Sequence, residues 1–323
     1  MESASVPQLS ICILNRNQKD LLRTCIKSCL DDLQESELSG EIIVVDNASQ
    51  DGSPEMVAER FPQVCLIRNR ENAAFSTANN QAIAASSGRY VFVLNNDTIL
   101  HKGCLKELVS YMDAHPDVGA AGPKLLNSNG SVQLGYYRRL PRLPDTLVTL
   151  LWLHHVWPSN PITRRALLAD KLLDEQRQEP WPIEQVGGCA LLVRREALDQ
   201  VGDFDEAFCF WFEDVDLCER LGRGGWKIVY VPGPCLTHYG GASFAGLEAA
   251  ETVDLYIKSL LLFFKKRRGP IQYSLVKLTA LTTLLLKLPV VALLSISPKA
   301  ETRRQWRNAP LAYLRAFKGA LVL

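Results

Sequence analysis

Tyr90-Val91-Phe92-Val93-Leu94-Asn95-Asn96-Asp97-Thr98 opens with five aromatic or aliphatic residues and closes with two amides, a carboxylate and a hydroxyl. A continuous run of β-branched and aromatic residues is the pattern of a strand buried on both faces, as in a parallel sheet. Nucleotide ligands and their divalent metals gather beyond the carboxyl ends of such strands, which is where Asp97 falls. A strand followed by an ordinary Asx turn would carry the same residues, so this stretch does not separate the two readings by itself.

Moving outward, the arrangement recurs. Ile42-Ile43-Val44-Val45 is a second apolar run ending in a carboxylate, Asp46, followed by Asn47 and then Ser49-Gln50-Asp51-Gly52-Ser53. Leu9-Ser10-Ile11-Cys12-Ile13-Leu14 breaks at Asn15-Arg16-Asn17. Between the runs, Lys19 to Leu33 has apolar residues at helical spacing, Pro54 to Phe61 opens with proline at a first-turn position, and Ala74 to Ser86 is rich in alanine. Strands alternating with helices predict an α/β fold with a mostly parallel central sheet, flanking helices and right-handed crossovers. Asn15, Arg16, Asp46, Asn47 and Asp97 then share one edge of that sheet.

The 323 residues, 47% hydrophobic and 22% charged, suffice for one large domain with an appendage or for two domains. Nine cysteines without a Cys-x-x-Cys pair, and an N-terminus lacking a secretory pattern, read as reduced thiols of a cytosolic protein. The net charge of +1 hides an asymmetry: residues 1–246 hold 23 Lys+Arg against 31 Asp+Glu, and residues 247–323 hold 13 against 4. That tail contains Lys265-Lys266-Arg267-Arg268 and then an apolar stretch, Ile271 to Pro298, interrupted by Lys277, Lys287 and Pro289. Two lysines and a proline argue against a spanning helix and for a basic amphipathic helical segment on anionic headgroups. A helical tail that packs on the body, or pairs two copies into a homodimer, is the alternative. Basic residues placed in an apolar tail, not among stacking aromatics, argue against nucleic acid.

A second acidic cluster, Trp211-Phe212-Glu213-Asp214-Val215-Asp216-Leu217, leads into a short helix with Leu217 and Leu221 on one face. Acids in a first helical turn are stabilised by the dipole and either cap the helix or serve as a base.

In order and spacing, Asn15-Arg16-Asn17, Val45-Asp46-Asn47-Ala48-Ser49-Gln50-Asp51-Gly52-Ser53, Arg68-Asn69-Arg70-Glu71-Asn72, Ala78-Asn79-Asn80, Leu94-Asn95-Asn96-Asp97-Thr98, Gly187-Gly188-Cys189-Ala190, Phe204-Asp205-Glu206, Phe212-Glu213-Asp214-Val215-Asp216-Leu217 and His238-Tyr239-Gly240-Gly241 resemble glycosyltransferase family 2. The likeness is greatest to its bacterial rhamnosyltransferase-like branch and covers roughly residues 8 to 246. The resemblance implies a GT-A (nucleotide-diphospho-sugar transferase) fold over 1–246, with 136–185 an acceptor-side insertion and 247–323 a membrane-associating tail. It implies inverting transfer from a nucleoside diphosphate sugar to a lipid-linked saccharide in cell-surface polysaccharide synthesis at the cytoplasmic face of the inner membrane.

The same resemblance assigns roles. Asp46 contacts the nucleobase, Asn15, Arg16 and Asn47 line the nucleotide pocket, and Arg68, Asn69, Asn72 and Asn80 form further donor wall. Asn95-Asn96-Asp97 replaces the family's DxD motif, with Asp97 the ligand of Mg²⁺ or Mn²⁺ and His238 facing the metal or diphosphate. Asp214 is the general base, and Gly188, Trp211, Glu213 and Asp216 belong to the acceptor side. Two departures stand out: Ala74 occupies a position where many relatives have glycine, and Asn95 replaces the first acid of the metal motif.

Tyr136 to Gln185, with Arg138, Arg139, Arg142, an apolar patch around Trp152, and the pair His154-His155, reads as an acceptor-side flap. The paired histidines lack a nearby ligand set, so no separate metal site is expected there. A P-loop enzyme is excluded by the missing Gly-x-x-x-x-Gly-Lys-Ser/Thr. Two other classes stay open: a sugar nucleotidyltransferase, though Asn15-Arg16-Asn17 is not its glycine-rich loop, and a non-catalytic sugar-nucleotide-binding membrane scaffold.

Overall fold

The apolar runs become β1 (Leu9–Asn15), β2 (Gly40–Asn47), β3 (Cys65–Asn69) and β4 (Tyr90–Asn95), and the segments between them become α1 (Lys19–Glu35), α2 (Ser53–Arg60) and α3 (Phe75–Ala85). The computed structural model describes residues 6–151, 153, 157, 160–174, 178–240, 249–299, 303 and 306–323. It divides into two units: Met1–Leu140 with Leu167–Glu206 and Glu213–Ala242, and Pro141–Ala166 with Ala207–Phe212 and Ser243–Leu323. Trp152 and His154-His155 lie outside the described residues.

In the first unit the chain continues through β5 (Thr98–Leu100), α4 (Cys104–Ala114), β6 (Val118–Leu126) and β7 (Tyr137–Arg138). After α5 (Leu143–Leu150) and α6 (Pro161–Ala166), which belong to the second unit, it returns as α7 (Ala169–Leu172), β8 (Trp181–Pro182), β9 (Gln185–Val186), β10 (Ala190–Arg194), α8 (Arg195–Val201), α9 (Glu213–Arg223) and β11 (Lys227–His238). The central sheet has the order β3-β2-β1-β4-β10-β6-β11-β5, with β8 also on β11. Its first four strands are all parallel, and β6 runs parallel to β11. Ile11, Ile13, Val44 and Phe92 are fully buried in its core, where α3 covers β1 and β2 and α4 covers β6 and β11.

Three features of this topology create the site. The order 3-2-1-4 places β2 and β4 on opposite sides of β1, a switch point at which the crossovers diverge and a crevice opens. Register aligns the polar strand ends there: Asn15 opposite Asp46, Asp46 opposite Arg68, Asn47 opposite Asn69. Because β10 is antiparallel to β4, it starts where β4 stops, and the Asn95 amide donates to the Cys189 carbonyl at 2.9 Å. Because β11 is antiparallel to β5, His238 pairs with Thr98 and lies beside Asp97.

Capping supports the scaffold from a distance. Glycine and cysteine at the start of α4 cannot cap it, so Asp32 on α1 accepts from the amides of Gly103 (2.5 Å) and Leu105 (2.8 Å).

The second unit is helical: α5, α6, α10 (Ala249–Arg267), α11 (Pro270–Ser295) and α12 (Ala309–Val322), in which α10 and α11 each pack on α12, and α11 packs on α5. Here the sequence expectation is corrected. α11 is apolar around its circumference, not basic and amphipathic, because residues 278–286 are almost wholly Leu, Thr and Ala. Among the described residues it is the one helix long and apolar enough to cross a membrane by length and composition, with mean hydropathy 1.9. The basic run instead ends α10, where cations meet the negative pole of the helix. Lys265 donates to the Leu323 carbonyl, Arg268 to the Pro141 carbonyl, and Lys266 lies over the Phe208 ring.

Candidate active site

At the ends of β1 and β2 the polar side chains bond one another. Asn15, fully buried, donates to Asp46 Oδ1 (3.0 Å) and Ser49 Oγ (3.2 Å) and accepts from Asn96 (2.6 Å). Asp46 Oδ2 takes the Ser49 amide at 2.9 Å. Asn47 donates to the Ala73 carbonyl and accepts from the Ala73 amide and from Asn69, fixing the loop that leads into α3. The Asn15–Asn96 bond spans the switch point, tying the metal-motif strand to the nucleotide edge.

Asp97 is buried, and its Oδ1 has no hydrogen-bond partner among the described residues. His238 Nε2 lies 3.2 Å from that oxygen. Gln133 holds the imidazole: its Oε1 accepts from His238 Nδ1 at 2.8 Å and its Nε2 donates to the His238 carbonyl at 3.4 Å. With Nδ1 donating to Gln133, Nε2 is the ring nitrogen turned to the carboxylate oxygen. Two electron-rich atoms in that position call for a shared proton or a cation.

The donor set fits a divalent metal. One carboxylate oxygen and one imidazole nitrogen suit Mn²⁺ or Mg²⁺ when phosphate oxygens and water complete the shell. Among the described residues no cluster of three or more His, Cys, Asp or Glu side chains that could hold a metal exists.

Asp214 stands in the first turn of α9, half-buried, accepting the Gly188 amide (2.8 Å) and the Val215 amide (2.7 Å). Burial raises its pKa above the ordinary carboxylate value, against the pull of those two amides and the Arg138 guanidinium. Glu213 is more deeply buried, its Oε2 has no hydrogen-bond partner among the described residues, and burial together with the Asp214 charge pushes its pKa well up. Asp214 is therefore the accessible member of the pair.

The two acidic clusters meet around Gly187-Gly188-Cys189. At Gly188 an added Cβ would make ordinary contacts, 3.4 Å from Phe75 and 3.7 Å from Asp214. Burial drives the Tyr136 phenol and the Cys189 thiol upward, and the charges of both Asp97 and Asp214 add to each. The Gly188 amide bonds Asp214 and the adjacent Cys189 carbonyl accepts the Asn95 amide, so this segment touches both the first turn of α9 and the end of β4. Tyr136 also sets its ring edge-on to His238, with centroids 5.0 Å apart.

The other expected residues have local partners. Arg68 pairs with Glu55 (3.1 Å), and Asn80 clasps the Phe204 backbone and Glu206. Arg16 and Asn72 are exposed at the edge. Asp216 is fully buried and bonds Arg220 (2.8 Å), which caps α8 through the Val201 and Gly202 carbonyls. Trp211, with Phe212, belongs to the second unit. Sequence reasoning missed Gln133. Its signal was Asn129-Gly130, a hairpin dipeptide that returns the chain so that the Gln133 amide bonds the Leu125 carbonyl at 2.9 Å.

Comparison with known proteins agrees with this geometry. Residues 10–202 match the family described as Glycosyl transferase family 2. The N-acetylglucosaminyl-diphospho-decaprenol L-rhamnosyltransferase of Mycobacterium tuberculosis is 33% identical over 250 residues, 72% of this chain and 79% of that protein. Among solved structures, the mannosyltransferase PcManGT of Pyrobaculum calidifontis, in complex with GDP-Man and Mn²⁺, superposes with a TM-score of 0.53 at 18% identity, covering 98% of this chain and 88% of that one. GalNAc-T7 with UDP, GalNAc and Mn²⁺ gives 0.56 at 14% identity, covering 94% and 55%. At such identities these structures speak for the fold, which is GT-A.

Proposed function

Since this chain belongs to glycosyl transferase family 2, we propose that it performs an inverting, metal-dependent transfer of a hexose from a nucleoside diphosphate to a lipid-linked saccharide. The enzyme is a glycosyltransferase that uses a nucleotide-sugar donor. The name of the mycobacterial relative supports rhamnose as the sugar and a polyprenyl diphosphate as the acceptor's carrier. Residues 1–246 are the catalytic domain, and 247–323 hold it at the cytoplasmic face of the membrane.

One observation carries this reading: the Gly188 amide bonds Asp214 while the adjacent Cys189 carbonyl accepts the backbone amide of Asn95, two residues before Asp97. Asp214 takes the proton from the acceptor hydroxyl as that oxygen attacks the anomeric carbon, and its raised pKa strengthens it as a base relative to an ordinary aspartate. Gly188 orients the base through its amide and, lacking a side chain, leaves room for the acceptor. Asp97 and His238 would hold Mn²⁺ or Mg²⁺, which would offset the charge growing on the departing diphosphate. Asp46, Asn47, Arg16, Arg68, Asn69 and Asn72 line the nucleotide edge, with Asn15, Asn80 and Asn96 bracing it.

The test is a mass-spectrometric screen of sugar nucleotides with Mn²⁺ or Mg²⁺ and an N-acetylglucosaminyl diphosphate lipid. Formation of a lipid-linked disaccharide with inverted anomeric configuration is expected. Retained configuration, or sugar-nucleotide synthesis in place of transfer, contradicts it.

A further inference from the structure

The first unit carries an arginine, Arg138 in β7, that the reaction described above does not use. Side chains alternate between the two faces of an extended segment. Tyr137 turns inward, fully buried, with its hydroxyl on the Pro123 carbonyl, so Tyr136 and Arg138 share the opposite face. Tyr136 shows what that face looks onto: its ring meets His238 edge-on, and its carbonyl accepts the Gly187 amide at 2.7 Å. Arg138 is the next side chain along, opposite Gln185 in the β7–β9 ladder. The same short run from Gln185 ends at Gly188, whose amide bonds Asp214.

Its neighbours place the guanidinium. Gly135 has φ of 100°, and its carbonyl accepts from Arg138 Nε. A Cβ on Gly135 would lie 3.3 Å from Nη2, so a left-handed residue without a side chain lets the arginine fold back there. Arg139, next in the chain, pairs with Glu184 at 3.7 Å. The terminal nitrogens of Arg138, by contrast, have no hydrogen-bond or ion-pair partner among the described residues. The charge still reaches the site: burial raises the pKa of both Asp214 and Tyr136, and the Arg138 guanidinium works against burial at each.

A planar fork whose terminal edge is open suits an anion that it can grip through two parallel N–H bonds, above all a phosphate. The donor already has a place for its diphosphate beside Asp97 and His238. On the Asp214 side the anion must come from the acceptor.

We propose that Arg138 grips the phosphate esterified to the very sugar that carries the accepting hydroxyl, so that the acceptor is a hexose 1-diphosphate of the lipid carrier and not a longer glycan. This rests on the lipid-linked reading above and deepens it. The reason is reach. Arg138 and Asp214 flank one short segment, so the anion and the hydroxyl are close neighbours in the acceptor. A phosphate on the anomeric oxygen is one ring away from the hydroxyls of its own sugar, and each inserted hexose moves it a whole residue further. Arg138 is then a specificity-determining residue, and Gly135 positions it.

The test uses the full chain in detergent with three acceptors: farnesyl N-acetylglucosaminyl diphosphate, the same lipid lengthened by one hexose, and the neutral undecyl N-acetylglucosaminide. Wild type should prefer the first over the neutral glycoside in kcat/KM by about tenfold or more, the size expected of one charge-assisted bond. Arg138→Gln should remove that preference by raising KM for the first acceptor alone, with donor KM unchanged. Arg138→Lys, which keeps the charge and loses the fork, should restore part of it. The lengthened lipid should behave like the neutral glycoside. Rates are taken per folded molecule. An unchanged preference in Arg138→Gln, an equal loss on all acceptors, or a rise in donor KM overturns the proposal.

Calorimetry separates this from the reading it rests on. Farnesyl N-acetylglucosaminyl diphosphate should bind Arg138→Gln about tenfold more weakly than wild type, and inorganic pyrophosphate in metal-free buffer should compete poorly. Pyrophosphate that binds as tightly as the lipid assigns the arginine to free phosphate and overturns the proposal too. Variant-sensitive lipid binding in a chain that transfers no sugar keeps the arginine site and defeats the functional reading. Normal transfer with variant-insensitive binding does the reverse.

Discussion

The ends of β1 and β2 and the end of β4 lie on the same edge of one sheet, yet they treat polar atoms in opposite ways. At Asn15, Asp46 and Asn47, donors and acceptors find partners inside the protein. At Asp97 and Glu213 an oxygen on each has no hydrogen-bond partner among the described residues, and burial holds Asp214 above its ordinary pKa. A buried polar group without a partner costs about 1–3 kcal/mol. The first region is built for rigidity, and the second retains frustration that ligand, metal and substrate relieve.

That contrast is open to measurement, and the largest effect belongs to Asp214. Asp214→Asn should reduce kcat by ~10²–10⁴-fold with donor affinity nearly intact. It should also raise Tm near neutral pH. A carboxyl whose folded pKa is raised disfavours the native state once it ionises, so the gain is present above that pKa and vanishes below the unfolded value of about 3.9. Thermal melts across that range and steady-state rates check both halves. For the same reason the acid limb of the wild-type rate profile should lie above that of an ordinary aspartate.

The opposite behaviour is expected at Asp216. Removing one partner of its buried pair with Arg220 should destabilise by about 3–5 kcal/mol, read by urea unfolding, with kcat per folded molecule changed far less. A kcat loss matching that of Asp214→Asn would place Asp216 in the chemistry and erase the contrast. Gln133→Leu frees the His238 ring and should weaken Mn²⁺-dependent donor binding by ~10–100-fold, with little change in metal-free nucleotide affinity. Smallest is Asn15→Ala: about 1–3 kcal/mol of stability, because Asp46 and Asn96 lose a partner. Should its donor affinity fall in metal-free buffer as much as its stability, Asn15 touches the nucleotide directly.

Much of the first unit was legible in sequence because its strands are continuous apolar runs that end in polar residues, a local signal. β1, β2 and β4 and the helices between them form where the pattern places them. The resemblance named the acidic clusters, but their convergence depends on β10 and β11 running antiparallel to β4 and β5. Those pairings are set by contacts far apart in the chain, which composition does not reveal. Asp216 carries a second signal: its spacing of four from Arg220 marks the helical ion pair that the structure contains. α11 misled because Lys277, Lys287 and Pro289 weigh heavily in a count, yet the stretch between the lysines is apolar on every face.

The central claim is that Asp97 anchors the diphosphate while Asp214 faces the incoming alcohol across one sugar. Anomalous difference density from crystals grown with Mn²⁺ and a non-hydrolysable sugar nucleotide tests it most directly. The account predicts a manganese peak about 2.1 Å from Asp97 Oδ1, with the sugar's anomeric carbon between that ion and the Asp214 carboxylate. A peak bound elsewhere, or a sugar whose free face points away from Asp214, would contradict it.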